Sequence, residues 1–278
     1  MKLIDGKEVS LYIKEKIRDE EKTLKTRPGL AVILVGDDPA SHVYVNNKKK
    51  ACEFCGFYSE SYELPADASQ AELLELIDVL NDNDMIHGIL VQMPLPSHID
   101  ETAVIERIRA DKDVDAFNPV NVGKIMTGDF DFLPCTPAGV MELLKYYNID
   151  VSGKRCAVIG RSNIVGKPMA MLMLHANATV TICHSRTKDL ASVVKEADIV
   201  VAAVGRKCFV TADMVKEGAV VVDVGINRGE DGKLYGDVDF ENVSKKASYI
   251  TPVPGGVGPM TIAMLMQNTL TSAKLKEK

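Results

Sequence analysis

The chain has 278 residues, 46% of them hydrophobic and 26% charged, which is enough for one large or two medium soluble domains. Its formal charge of −6 argues against a nucleic-acid partner, and the run Lys48-Lys49-Lys50 is too short to reverse that. No apolar stretch approaches the roughly 20 residues of a membrane span, Met1-Lys2-Leu3-Ile4-Asp5 leads straight into an amphipathic pattern as expected without a signal or transit peptide, and the six cysteines lack framework spacing, so reduced thiols in a cytoplasmic compartment are expected.

Residues 7–26 predict a helix with Val9, Ile13, Ile17 and Leu24 on its inner side. Leu30 to Val35 reads as a buried strand ending at Gly36, residues 40–55 as a helix, Phe57 to Leu64 as a strand and 69–82 as a helix with Leu73, Leu76, Ile77 and Leu80 inward. Ile86 to Val91 gives a third strand, broken by Pro94 and Pro96, and Ile99 to Arg109 a further helix. Within this α/β unit Tyr44, Lys48 and Cys52 stand four apart and share a helical face. An inward lysine loses hydration, which lowers its pKa from ~10.4 toward the range useful in acid–base work; a surface lysine with a buried stem has the same spacing. Gln92 ends the third strand, where it can reach the same cleft. Cys52 and Cys55 form a lone C-x-x-C with no second pair and no nearby histidine, so zinc is not expected.

Ala110 to Pro134 reads as a long irregular stretch, of the kind that marks a functional loop or domain junction. Asp111, Asp113 and Asp115 alternate as in a calcium loop, but Ala116 stands where glycine is needed and Val122 where glutamate is needed, so no metal is predicted. Asp115 is then a loop carboxylate for the N–H groups of a ligand. A helix from Pro137 to Tyr147 precedes the second α/β unit.

There the run Cys156 to Ile159 leads into Gly160-Arg161-Ser162-Asn163-Ile164-Val165-Gly166-Lys167-Pro168, a strand, a glycine-cornered turn and a helix with proline in its first turn. A helix start of this kind offers N–H groups and a positive dipole end to a phosphate. The common spacing G-x-G-x-x-G is altered, since Ser162 takes the middle place and the last glycine comes one residue late; a tight corner alone would look similar. The next strand, Ala178 to Cys183, ends in His184-Ser185-Arg186-Thr187 without the carboxylate of an NAD site. A hydroxyl and a guanidinium there suit a 2′-phosphate, with Arg161 as a second contact, and favour NADP over NAD; Arg186 and Lys188 beginning a solvated helix is the other reading. Asp198 to Val204 and Ala219 to Val224 are β-branched runs of a parallel sheet, each followed by a glycine. Ile226 can pack on a nicotinamide ring or be plain core. Thr251 to Thr261 is a rigid Pro/Gly loop, able to approach a flat ligand or to cap the last helix, Pro259 to Ala273.

These stretches together resemble the bifunctional methylenetetrahydrofolate dehydrogenase/methenyltetrahydrofolate cyclohydrolase family. The match lies in Ser41-x-x-Tyr44-Val45-x-x-Lys48, Val91-Gln92-Met93-Pro94-Leu95-Pro96, Asp111-Lys112-Asp113-Val114-Asp115, Pro134-Cys135-Thr136-Pro137, the Gly160–Pro168 turn and Pro252 to Thr261, in order over nearly the whole chain. The resemblance implies two α/β domains with a cleft between them: a folate-binding catalytic domain of residues 1–120 plus 260–278, and a Rossmann-type NADP domain of residues 136–259. It implies tetrahydrofolate derivatives as substrates, a homodimer formed through the cofactor domains, and oxidation of the methylene folate with NADP followed by hydrolysis to the 10-formyl form. A dehydrogenase without hydrolysis and a silent nucleotide-binding regulator are the alternatives. By resemblance Lys48 serves the hydrolytic step, Tyr44 and Gln92 orient it, and Asp115 holds the pterin. Pro254, Gly255 and Gly256 line the folate, while Gly160, Arg161, Ser162, Ser185, Arg186, Ile226 and Thr261 hold the dinucleotide.

Overall fold

In the computed structural model residues 1–277 are described, apart from the side chain of Ala40. The elements in chain order are β1 (Lys2–Leu3), α1 (Gly6–Glu21), β2 (Gly29–Val35), α2 (Pro39–Cys55), β3 (Tyr58–Leu64), α3 (Gln70–Asp82), β4 (Gly88–Val91), α4 (Glu101–Arg107), α5 (Pro119–Thr127), α6 (Cys135–Tyr146), β5 (Arg155–Ile159), α7 (Gly166–His175), β6 (Thr179–Cys183), α8 (Leu190–Lys195), β7 (Ile199–Ala202), β8 (Val220–Asp223), β9 (Asn227–Arg228), β10 (Leu234–Tyr235), α9 (Phe240–Val243), β11 (Tyr249–Ile250) and α10 (Val257–Lys276). They form two compact units: Leu11–Cys135 with the residues from Ile262 onward, and Met1–Ser10 with Thr136–Thr261.

The first unit is built on a parallel three-stranded sheet of order β3-β2-β4. Every residue of the central strand β2 is buried, as expected of a strand covered on both faces. Ala31, Ile33 and Val35 project to one face and meet Leu73, Ile77 and Leu80 of α3, Val104 of α4 and Ile89 of β4. Each such leucine or isoleucine contributes roughly 1.5–3 kcal/mol by leaving water. Helix α3 is started by a capping box, in which Ser69 and Glu72 satisfy each other's backbone N–H.

The second unit carries a six-stranded sheet of order β1-β11-β8-β7-β5-β6, parallel throughout. The strand order reverses at β5, whose neighbours are β6 on one side and β7 on the other. In open parallel sheets ligands bind outside the carboxyl ends of the strands at such a switch point. β7 and β8 are buried along their whole length, whereas β6 is an edge strand with Thr179, Thr181 and Ile182 exposed.

Two sequence expectations are corrected. The irregular stretch 110–134 contains α5, which begins with Asn118 capping the N–H of Val120 and Pro119 at the first helical position, and ends at Gly128 in the left-handed region. The first helix stops at Glu21 instead of residue 26, because Thr23 turns its hydroxyl and N–H onto the carbonyl of Glu20 and closes the last turn. Residues 1–10 pack with the six-stranded unit: Lys2 and Leu3 pair with Tyr249 and Ile250, and the fully buried Ile4 donates its N–H to the Ile250 carbonyl. Among the described residues no helix is long and apolar enough to cross a membrane.

Candidate active site

In the three-stranded unit, Asp38 caps α2 by accepting from the N–H and hydroxyl of Ser41, which starts the helix that carries Tyr44 and Lys48. Lys48 is only 7% exposed. Its Nζ donates to Gln92 Oε1 at 2.7 Å, and Gln92 Nε2 donates in turn to the carbonyl of Met93 at 2.6 Å. Both ends of the Gln92 amide are therefore held, with the oxygen toward the lysine. Gln92 sits just past β4, and its N–H continues the sheet ladder to Ile33. Tyr44 lies one turn before Lys48 and keeps more than a third of its surface exposed, so of the Tyr44/Lys48/Cys52 face only the latter two are buried.

The segment Asp111 to Asp115 places the remaining carboxylate by sending successive side chains to different anchors. Lys112, fully buried, donates from Nζ to the carbonyls of Leu80 (2.8 Å) and Asn83 (2.7 Å), the end of α3, where a cation is favoured. Asp113 accepts from the N–H of Asn118 and from Asn121 Nδ2, both at 2.8 Å. Burial pushes its carboxyl up to about 6, against those hydrogen bonds. Asp115 faces Lys48 and the Cys135 thiol. Burial pulls the Lys48 ammonium below its ordinary value, while the Asp115 charge works in the opposite sense and loses. Burial likewise raises Asp115, with Lys48 opposing, and holds the Cys135 thiol well up. Two neighbouring ionisable groups are thus both moved toward their neutral forms, a pattern that marks functional sites.

Sequence reasoning missed two members of this cluster. Cys135 donates toward the carbonyl of Val114 at 3.4 Å, and Asn268 on α10 donates from Nδ2 to the carbonyls of Val114 and Leu133, both at 2.8 Å. Their partners lie up to 154 residues away in the chain, so no local pattern announces them.

In the six-stranded unit, Gly160 ends β5 with φ +130°, and a Cβ there would stand 2.2 Å from the carbonyl oxygen of Ala203. A Cβ on Gly166, the first residue of α7, would meet the Gly160 carbonyl at 2.3 Å. Only glycine admits this close turn, and it leaves a cradle at the switch point. Ser162 accepts at Oγ from the N–H of Val165 (3.2 Å) and Gly166 (3.3 Å), holding the turn that leads into α7. Arg161 is exposed beside it. At the end of β6 the N–H of His184 donates to Thr187 Oγ1 at 2.9 Å and the N–H of Thr187 donates to the His184 carbonyl, closing a turn in which Ser185 and Arg186 are exposed. Ile226 is 47% exposed, which excludes plain core, and a Cβ on Gly258 would lie 3.7 Å from its Cδ1. The loop before α10 contains a cis Val253–Pro254 bond and Gly255 at φ +101°, and the Gly255 carbonyl accepts from the N–H of Gly6. Thr261 is turned instead to the hydroxyl of Thr136, 2.9 Å away.

Comparison with known proteins also divides the chain in two, between residues 115 and 134. Residues 4–115 match the family model for the catalytic domain of tetrahydrofolate dehydrogenase/cyclohydrolase, and residues 134–277 match that for its NAD(P)-binding domain. The chain belongs to the tetrahydrofolate dehydrogenase/cyclohydrolase family. The bifunctional protein FolD of Campylobacter hominis is 59% identical over 281 residues, covering 100% of this chain and 99% of the relative. That of Bacillus subtilis is also 59% identical, covering 98% and 97%. The crystal structure of the bifunctional FolD from Campylobacter jejuni superposes with a TM-score of 0.97 at 56% identity, covering 99% of each chain. The Trypanosoma brucei enzyme, solved with NADP cofactor and an inhibitor, gives 0.95 at 42% identity, covering 99% and 98%. The mixed α/β architecture and Rossmann-type parallel sheet are those of the family.

Proposed function

We propose that this member of the family oxidises 5,10-methylenetetrahydrofolate to the 5,10-methenyl form with NADP and hydrolyses that product to 10-formyltetrahydrofolate. The observation that carries the reading is the buried Lys48–Gln92 pair facing Asp115, in the same chain as a glycine cradle at a Rossmann switch point.

The cradle fits a dinucleotide. Gly160 and Gly166 leave room for a phosphate backbone, Ser162 shapes the start of α7, and Arg161, Ser185 and Arg186 stand exposed at the strand ends where a 2′-phosphate would lie. When bound, NADP accepts the hydride at its nicotinamide ring. The chain's own work is to position, because hydride loss leaves a cation shared by two nitrogens and no base is required. In this assignment Ile226 supports the nicotinamide, and Pro254, Gly255 and Gly256 line the folate. Thr261 belongs to the same set, with its hydroxyl already engaged by Thr136.

Hydrolysis needs a base. Water forms a bond to the methenyl carbon and gives up a proton; one carbon–nitrogen bond then breaks, that nitrogen takes a proton, and one proton is released overall. Burial increases the share of neutral Lys48 amine at any given pH, and the Gln92 oxygen keeps a lysine N–H turned toward itself, leaving the lone pair for the water. Tyr44, at the rim, orients the same group, and Asp115 accepts N–H groups of the pterin.

The exposed edge strand β6, with Ile182, and the exposed Leu174 and Ile164 nearby in sequence support a homodimer through the cofactor units, since an open edge is a pairing template. The six free thiols support a cytoplasmic enzyme. Spectrophotometric assay of the purified chain with methylenetetrahydrofolate and NADP, repeated with NAD, tests the assignment. Formation of NADPH with no lasting accumulation of the methenyl form is expected; accumulation beside NADPH would remove the hydrolytic half, and no reduction of either cofactor would remove the oxidative half.

A further inference from the structure

At the carboxyl ends of β7 and β8 the six-stranded unit buries a carboxylate that none of these steps uses. Asp237 is 0% exposed. Its Oδ2 accepts from the N–H of Val204 at 2.6 Å and of Gly205 at 2.9 Å, and its Oδ1 from the N–H of Arg206 at 2.8 Å and Asn227 Nδ2 at 2.9 Å. Successive N–H groups turned toward one anion form a nest, the arrangement that proteins elsewhere offer to phosphates. Here the chain fills the nest with its own side chain. The loop after β7 and the segment after β8 are thereby tied to a single group.

The surroundings leave that group little freedom. Asp223, also buried, accepts from the N–H groups of Gly225 (3.0 Å), Asp237 (2.9 Å) and Val238 (2.9 Å), so the backbone that carries Asp237 is itself held. A Cβ on Gly225 would stand 2.2 Å from the Asp237 carboxyl carbon, and one on Gly236 would stand 1.8 Å from Asp223 Oδ2. Two aspartates and two glycines therefore interlock around the stretch that holds Ile226, whose neighbours on either side are Gly225 and Asn227.

We propose that Asp237 is a positioning residue for hydride transfer: by fixing Asn227 and the Val204-Gly205-Arg206 loop it holds Ile226 where the nicotinamide must lie. The inference rests on Ile226 bearing on that ring, as proposed above. Asparagine at 237 has nearly the same size but replaces one acceptor oxygen with an NH2 group, so whichever way it turns, two of the four donors face a donor.

The test uses the full-length enzyme and reads both activities. For Asp237→Asn, the dehydrogenase kcat should fall by about tenfold or more, with a larger isotope effect from the deuterated methylene folate, while hydrolysis of methenyltetrahydrofolate stays unchanged. Asn227→Ala leaves three donors on the carboxylate and should show a smaller shift in the same two quantities; it is the deciding variant if Asp237→Asn does not fold. Equal loss of both activities in Asn227→Ala, or an unchanged kcat and isotope effect, would overturn the inference. Ile226→Ala separates the two layers: if it leaves hydride transfer intact, the placement of Ile226 fails and this inference with it. If it impairs transfer while Asp237→Asn and Asn227→Ala do not, the positioning role alone fails.

Discussion

Lys48 is buried, paired with Gln92 and set against Asp115, whereas Arg161, Ser185 and Arg186 stand exposed at the strand ends of the six-stranded unit. One unit works through side chains whose proton affinity is shifted by burial. The other works through backbone shape, with Gly160 and Gly166 keeping a turn too close for any Cβ. The difference follows the two chemistries. For a lysine to remove a proton from water its pKa must come down, and burial is what lowers that of Lys48. Holding a long charged cofactor requires a fixed scaffold and surface charges that remain charged. The contrast predicts that damage to either unit's machinery should separate the two activities of one chain.

The largest separation is expected from Lys48→Met. Methionine keeps the length and apolar stem but cannot accept a proton, so hydrolysis should fall by roughly 10²–10⁴-fold, the usual contribution of a positioned base. Methylene oxidation with NADP should continue, with the methenyl product accumulating. Stopped-flow absorbance of both species reads this directly, and unimpaired hydrolysis would remove Lys48 from the step.

The reverse separation is expected from Gly166→Ala. The added methyl would meet backbone atoms, the Gly160 carbonyl at 2.3 Å and the Arg161 nitrogen at 2.7 Å, so the turn must open. Displacement of about 1 Å costs roughly 10²-fold in a positioning reaction, and kcat/KM for the dehydrogenase should drop on that scale. Hydrolysis should hold. A variant with normal NADP kinetics would reduce the turn to a structural corner.

How much of this contrast could be seen in the chain beforehand depended on distance along it. The glycine turn is local, so Gly160, Ser162 and Gly166 could be placed on a strand end and helix start from spacing alone. Lys48 is ambiguous from the chain, because a helical face shows which residues share a side but not which side is covered; the covering groups are Gln92 and Asp115 at Lys48 and Met266 of α10 at Cys52. Helix α5 was hidden by composition, although Asn118-Pro119 and Gly128 are ordinary helix boundaries. Asp113 reads from the chain only as part of the Asp111-Asp113-Asp115 alternation, yet it and Lys112 are anchors, one to the start of α5 and one to the end of α3. Asp237 carries no local mark at all, since its donors lie at 204–206 and 227.

A subtler way to sharpen the comparison is the pH dependence of hydrolysis. Neutral Lys48 is the working form, so the rate should rise with pH through the lysine pKa, which burial has lowered. The Asp115 charge opposes that lowering by favouring the ammonium. Asp115→Asn removes the opposition, the lysine pKa falls further, and the rising limb of the kcat profile should move to lower pH. A limb that stays in place would show that Asp115 does not act on the charge of Lys48, whatever it does to folate binding.

The smallest effect is expected where the charge is most exposed. Arg186 lies in water at the end of β6, and screening limits a contact there to about 1 kcal/mol, or roughly fivefold in affinity, even with a charge-assisted hydrogen bond. Arg186→Ala should therefore raise the KM for NADP by about that factor. The KM for NAD should not change, because NAD has no 2′-phosphate for the guanidinium to meet. Raising the ionic strength should weaken the wild-type preference in the same direction and affect the variant less, since only Arg161 is left to be screened. Equal changes for both cofactors would place Arg186 on a feature they share, the pyrophosphate, and would move the discrimination to Arg161 and Ser185.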